Sequence, residues 1–412
     1  MKQQRESQEF FTALDVGSDR VICLVARPGA EPGTMRVMGI GDQRSRGVAN
    51  GCVNIVSEAV EAIREAIREA QATAEVQILG VWTAIGGGTL ESANCSGQTV
   101  LRGREVTRED MDLAEENARQ SAIHGARGGT MLKLIPQGFR CGDVVSDRPE
   151  GLVGERLEAN VHALYGSSSN VKNLKRCIER AGVELLEYEP HPWAAAKAAL
   201  TESERMVGTA LIDIGAETSS MIVFTDGLAR FSCVRPFGAS LFTGDLSVVL
   251  GIDLEEAEEL KLNAGDCRRD EVLPDELVQF DRRGVPSRSY SRDLLVQTLS
   301  TRAINVLRNY RDVLVKAGHF DDIRLVVLTG GGAKLPGFVE EAQKFLGKRV
   351  RLGIPLGVEG ETPLLQKPDS AVAAGLIRCA IEQRIYGPER AYGARRSLSF
   401  MGKLKTFFVG DY

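Results

Sequence analysis

Phe11-Thr12-Ala13-Leu14-Asp15-Val16-Gly17-Ser18-Asp19-Arg20-Val21 and Ala210-Leu211-Ile212-Asp213-Ile214-Gly215-Ala216-Glu217-Thr218-Ser219-Ser220 spell one small design twice. In each, an apolar strand ends on a carboxylate, a glycine permits a tight turn, and a second strand returns. Such a turn points several backbone N–H groups into one concavity, where a phosphate can sit. The carboxylates, Asp15 and Asp213, are placed to hold Mg²⁺ directly or through waters. Two such turns facing each other would grip a nucleoside triphosphate from both sides.

The rest of the composition narrows the class. A chain of 412 residues suits two or more domains. Its 43% hydrophobic and 26% charged residues are ordinary for a soluble globular protein. A net charge of −5 argues against a general nucleic-acid binder. No apolar run reaches the roughly 18 residues of a membrane span, and the first residues, Met1-Lys2-Gln3-Gln4-Arg5-Glu6, carry no apolar signal core. The eight cysteines are scattered without a CxxC pair, which predicts reduced, mostly buried thiols of a cytosolic protein. The four histidines show no ligand spacing, so a structural zinc is not expected.

Outward from the first hairpin, a third strand is expected near 36–41. A helix follows, with Val56, Val60, Ile63 and Ile67 on one stripe. A strand at 78–85 runs into Gly86-Gly87-Gly88. No Lys-Ser/Thr pair follows that triplet, so it reads as a turn into an inserted subdomain rather than a phosphate loop. Within the insertion, Thr107-Arg108-Glu109-Asp110 resembles a capping box before a helix carrying Met111, Leu113, Ala114 and Ala118. A helix from near Asn170 turns Val171, Leu174 and Ile178 inward and stops at Gly182, and 193–200 is a small-faced helix suited to tight packing. After the second hairpin, 228–234 adds a strand, 245–321 reads as helical, and a buried-type strand at 324–329 delivers Gly330-Gly331-Gly332.

The two hairpins, the segment 328–338 and Ala257-Glu258-Glu259-Leu260-Lys261 together resemble the actin/Hsp70/sugar-kinase superfamily. The resemblance implies an α/β fold of two actin-like (ribonuclease H-like) halves around a nucleotide cleft, with inserted subdomains. It implies that Gly330, Gly331 and Gly332 let the backbone approach the adenosine. It also implies that Glu258 and Lys261, one helical face apart at i and i+3, contact ribose and adenine. With Asp15, Gly17, Ser18, Arg20, Asp213, Gly215, Ala216, Glu217 and Thr218, these form the expected seat for ATP or ADP with Mg²⁺.

Within that superfamily the chain resembles the FtsA family of bacterial cell-division proteins, essentially end to end. The resemblance rests on Ser45-Arg46-Gly47 with Gly51-Cys52-Val53-Asn54, Leu134-Ile135-Pro136-Gln137, Val350-Arg351-Leu352-Gly353-Ile354-Pro355 and Ser370-Ala371-Val372-Ala373-Ala374-Gly375-Leu376. It implies a first half over 8–206, completed by 366–386 and carrying an insertion at 86–163. It implies a second half over 207–365 with an insertion at 245–321, and then a linker at 387–396. The last segment, 397–412, places Phe400, Met401, Leu404, Phe407 and Phe408 on one stripe beside Lys403 and Lys405, an amphipathic helix suited to an anionic membrane surface. The family implies filaments of this chain, capture of the C-terminal peptide of the tubulin-like protein FtsZ through 245–321, contacts with other division proteins, and a peripheral position on the cytoplasmic face of the inner membrane at the division site.

Two departures bear on chemistry. Relatives usually have Asp-x-Gly-Gly-Gly-Thr at the second turn, where this chain has Ala216 and Glu217. Ala216 restricts φ, and a Glu217 carboxylate about 5 Å from a phosphate would repel it by about 3 kcal/mol at an effective dielectric near 20. Arg20 stands where relatives usually carry lysine and keeps the charge. His191 stands where the Hsp70 branch has the glutamate that orients water, so at most a very slow ATPase is expected, within a scaffold. A PilM-like scaffold of pilus assembly and a weak ATPase or kinase of the same superfamily are the alternatives.

Overall fold

The computed structural model describes residues 10–386 apart from Thr89, Arg127, Pro274, 282–286 and 361–362. The expected membrane helix at 397–412 and its linker lie outside the described residues.

The two hairpins open two sheets of one topology. In the first, the strands run in the order Glu184–Pro190, Gly80–Ile85, Phe11–Val16, Arg20–Pro28, Met35–Arg44 and Val358–Glu359. In the second, the order is Leu228–Arg235, Ser219–Thr225, Thr209–Ile214, Leu325–Thr329 and Arg349–Leu352. Each begins as an antiparallel three-strand meander. Its first strand then pairs in parallel with a later strand, and a second parallel strand follows. The central strands are buried on both faces, as parallel pairing with helical cover demands.

Helices pack on these sheets wherever small residues leave room. The helix Val56–Ala74 lies so close to the strand Met35–Arg44 that a Cβ on Gly41 would stand 1.9 Å from the Ala66 carbonyl oxygen. The alanine-rich helix His191–Ala199 is buried along nearly its whole length, as its small face predicts. The last described helix, Ala371–Tyr386, crosses it at Gly375, where a Cβ would fall 1.8 Å from the Ala194 carbonyl oxygen. Any larger residue at Gly375 would force these helices apart.

The chain leaves the first sheet after Ile85 to build a separate four-stranded sheet from Glu91–Val100, Thr130–Cys141, Val144–Ser146 and Arg156–Gly166, covered by the helix Arg108–Gly125. Thr107 and Asp110 cap that helix reciprocally, as the sequence suggested. Leu113 is exposed, so the inward face is carried by Ala114, Ala118 and Ala122 with Met111 packed beside them. In the second half, the helices Ser240–Leu250, Leu254–Ala264 and Arg292–Lys316 form the expected helical region. A β-hairpin, Leu277–Phe280 with Arg288–Ser291, interrupts it and corrects the all-helical reading of 245–321. Its strands are four residues each, too short for a period to show in sequence.

Candidate functional site

The two turns superimpose in hydrogen-bond register. Asp15 pairs with Ile22 and Asp213 with Ser220, each one pair inside the turn. The Gly17 N–H donates to the Arg20 carbonyl and the Gly215 N–H to the Thr218 carbonyl, both at 2.9 Å. Both turns face one pocket. Asp15, Val16, Gly17 and Ser18 line it from the first half, and Gly215, Ala216 and Thr218 line it from the second. Val48, Gly51, Val53, Gly86, Gly87, Asn170 and His191 complete most of the remaining wall.

Asp15 lines this pocket, Asp213 is buried at the base of the opposite turn, and the Asp213 charge raises the cost of ionising Asp15. Burial pushes Asp15 up to about 6, with nearby His191 opposing and Asp213 adding to the rise. Burial pushes Asp213 up to about 7, with Asp369 adding to it. Burial lowers the proton affinity of His191, which Asp15 restores in part, and its Nδ1 lies 3.3 Å from Ser220 Oγ. No cluster of three or more metal-ligating side chains exists among the described residues. A cation here would therefore rest on this carboxylate pair with phosphate oxygens and waters, which is the donor set Mg²⁺ favours. The pair fits that ion, because neutralising two crowded carboxylates removes the penalty that raises their proton affinity.

The remaining residues of the two turns have other partners. Arg20 donates from Nε to Asp42 and from Nη1 to Asp369, each at 2.8 Å, and Lys334 donates to the same Asp369 oxygen at 2.8 Å. Its guanidinium thus ties the first hairpin to the start of the last helix and to the second half. The Glu217 carboxylate reaches the other way, accepting the Asn50 N–H at 2.5 Å. Ser18 Oγ accepts the neighbouring Gly51 N–H at 3.0 Å. Ala216 is not among the residues with positive φ, so it fits its turn without strain. Its carbonyl accepts the Ser240 N–H, and the Gly215 carbonyl accepts the Ala239 N–H. Gly238 must be glycine, since a Cβ would lie 2.5 Å from both carbonyl oxygens.

Glu258 and Lys261 share a helical face and pair with each other at 2.6 Å. Lys261 also donates to Thr243 Oγ1 at 2.9 Å, and that hydroxyl donates to Glu258. The pair therefore sits against the helix Ser240–Leu250, whose first amide bonds to the second turn. The glycine triplet at 330–332 divides by role. Gly330 has φ +85, and a Cβ there would come within 2.6 Å of Asp213 Oδ1 and the Ile214 carbonyl oxygen. A Cβ on Gly332 would come within 2.5 Å of Ile214. Packing on the second hairpin dictates these two, while a Cβ on Gly331 would meet nothing nearer than Asp369 Cβ at 4.0 Å.

Several lining residues escaped the sequence reading. Gly86 and Gly87 line the pocket, although the missing Lys-Ser/Thr signature made that triplet a plain turn. The usable signal was position: Gly80–Ile85 and Leu325–Thr329 are equivalent strands, and both run into three glycines. Asn170 Nδ2 donates to the Gly86 carbonyl at 3.1 Å, and no local pattern marks it. Asp369, whose Oδ1 is buried without a hydrogen-bond partner, is far away in sequence from everything it touches.

A family model described as "Cell division protein FtsA" matches residues 210–375, and one described as "SHS2 domain inserted in FTSA" matches 87–165. The chain is 32% identical to the cell division protein FtsA of Neisseria meningitidis serogroup B, over 93% of this chain and 94% of that one. It is 28% identical to the FtsA of Escherichia coli K12, over 92% of each. Among solved structures, the PilM-PilN type IV pilus biogenesis complex matches with a TM-score of 0.61 at 17% identity, covering 90% of this chain and 98% of that one. MreB5 of Spiroplasma citri bound to ADP matches with a TM-score of 0.55 at 12% identity, covering 92% and 98%. At such identities these structures speak for the fold alone.

Proposed function

This chain belongs to the FtsA family of cell-division proteins, and from that premise we propose that it is an ATP-binding, filament-forming anchor for the FtsZ ring. One observation carries the nucleotide reading. Two turns of equal register close on one pocket, each with a carboxylate at its base and a glycine amide at its bend. Gly17, Ser18, Gly215, Ala216 and Thr218 would take the phosphates, Gly331 would give the adenosine room, and Glu258 with Lys261 would meet the ribose and adenine. Asp15 and Asp213 would hold Mg²⁺, whose part is to offset the phosphate charge. His191 provides no carboxylate to orient a water, so turnover is slow.

The helical region of the second half supports capture of the FtsZ peptide. Val248, Leu254 and Leu262 are largely exposed on the helices Ser240–Leu250 and Leu254–Ala264, and apolar side chains on a helical surface suit a peptide partner. No helix among the described residues is long and apolar enough to cross a membrane, so attachment falls to the amphipathic segment 397–412.

Calorimetric titration with ATP and ADP, with and without Mg²⁺, tests the nucleotide part. Binding that strengthens with Mg²⁺ and is lost in Asp213→Ala is expected, and no binding by the wild type would refute it. Co-sedimentation with anionic liposomes tests the anchor. Deleting 397–412 should abolish pelleting, and unchanged pelleting would remove the tether.

A further inference from the structure

The small hairpin Val48–Ala49 with Cys52–Val53 presents an anion site that the functional reading leaves unused. Its two-residue turn, Asn50-Gly51, stands at φ +50 and +68, the left-handed pair of a type I′ turn, which Asn-Gly favours. The Gly51 N–H is held by Ser18 Oγ at 3.0 Å, which leaves the Asn50 N–H as the amide turned to the opposite half. Gly51 lines the pocket with Ser18, Ala216 and Thr218, and the Asn50 N–H meets a carboxylate oxygen of Glu217 at 2.5 Å. Successive backbone N–H groups in such a turn form a concavity for compact oxyanions, and hydrogen bonds to an ionised oxygen are the stronger kind. Here the oxyanion is supplied by the opposite half of the molecule. Glu217 holds the third place in its turn, and the third place in the first turn is Asp19, which is exposed.

We propose that the Asn50-Gly51 tip is a third phosphate-contacting element of the cleft and that Glu217 is its built-in competitor. The Glu217 carboxylate occupies the tip until the terminal phosphate of a nucleoside triphosphate displaces it. This rests on the nucleotide reading above. A diphosphate lacks the displacing group, so Glu217 weakens triphosphate binding selectively and makes entry of the terminal phosphate the event that frees the link between the halves at this point.

The test compares wild type, Glu217→Ala and Glu217→Gln by calorimetry with Mg²⁺-AMPPNP and Mg²⁺-ADP, alongside residue-resolved amide exchange across 47–54. Glu217→Ala should gain about tenfold for AMPPNP, the scale of one charge-assisted hydrogen bond, with ADP unchanged. Without nucleotide its Asn50 amide should exchange faster than in the wild type, and AMPPNP but not ADP should restore protection. Glu217→Gln keeps an acceptor of similar size and should retain part of that protection. An equal gain for both nucleotides would overturn the proposal in favour of general charge repulsion. So would an Asn50 amide that stays unprotected in Glu217→Ala saturated with AMPPNP. Failure of every variant and of the wild type to bind either nucleotide would instead defeat the nucleotide reading, and the proposal with it.

Discussion

The two Asp-x-Gly turns share strand order, register and a 2.9 Å closing hydrogen bond, yet their side chains work in opposite directions. The first binds its own half, with Ser18 holding the Gly51 amide and Arg20 holding Asp42. The second contact of Arg20, with Asp369, reaches the segment just before the last described helix. The second turn is locked from behind by the Ala239 and Ser240 amides and sends Glu217 across the cleft. Repetition of the backbone fixes where the two turns stand against the pocket. The side chains grafted on each copy decide which copy grips its own half and which one bridges.

The glycine triplets break this comparison most sharply. Gly330 is left-handed and packed against Asp213 and Ile214, while a Cβ on Gly86 would meet nothing nearer than His191 at 3.7 Å. Gly330→Ala should cost about 3–5 kcal/mol, because a left-handed strain and a backbone clash add. Gly86→Ala should cost less than about 1 kcal/mol. Urea unfolding measures both, and equal costs would mean that the second hairpin yields where the contacts say it is rigid.

Next in size is the carboxylate pair. Asp213 is raised from 3.8 to about 7 and Asp15 to about 6. Between pH 4 and 7 the folded chain therefore binds protons that the unfolded chain has released, so stability falls as pH rises through that window. Asp213→Asn removes the penalty. It should stabilise the nucleotide-free protein by up to about 4 kcal/mol at pH 8 and by almost nothing at pH 4. Asp15→Asn should follow with a smaller gain, because His191 already offsets part of its rise. Thermal melts across pH 4–8 read the difference. A gain in Asp213→Asn that is flat with pH would show that its carboxylate is not the titrating group.

Much of this is legible in the amino-acid sequence. An Asp-x-Gly turn between apolar strands is a local pattern, and so are the Thr107–Asp110 capping box and the alanine face that receives Gly375. What stayed hidden was relational. Gly86-Gly87-Gly88 lacked a local signature, and its meaning came from the equivalence of the strands before the two triplets. Gly51 belongs to a stretch that carries the family resemblance, but nothing local marks Asn50, whose amide gains meaning only from Glu217 against it. The charge of Arg20 was readable, but its engagement by Asp42 and Asp369 required the fold to bring residue 369 beside residue 20. The hairpin strands Leu277–Phe280 and Arg288–Ser291 escape the sequence because four residues are too few to carry a period.

The smallest effect falls at the last place in each turn, where Arg20 and Thr218 are equivalent. Arg20 bridges Asp42 and Asp369 in partly exposed pairs, so Arg20→Gln should cost about 1 kcal/mol, shrinking as salt is raised. Lys334 remains on Asp369 and limits the loss. Thr218→Ala should leave stability nearly unchanged, since the Thr218 carbonyl, which closes the turn, survives the substitution. Chemical unfolding at low and high salt separates the two. If Arg20→Gln keeps full stability but loses nucleotide affinity, the guanidinium must leave Asp369 for the phosphates when nucleotide binds. The first turn would then join the second in trading an internal partner for the ligand, and the contrast between the two copies would narrow to the sign of the charge they exchange.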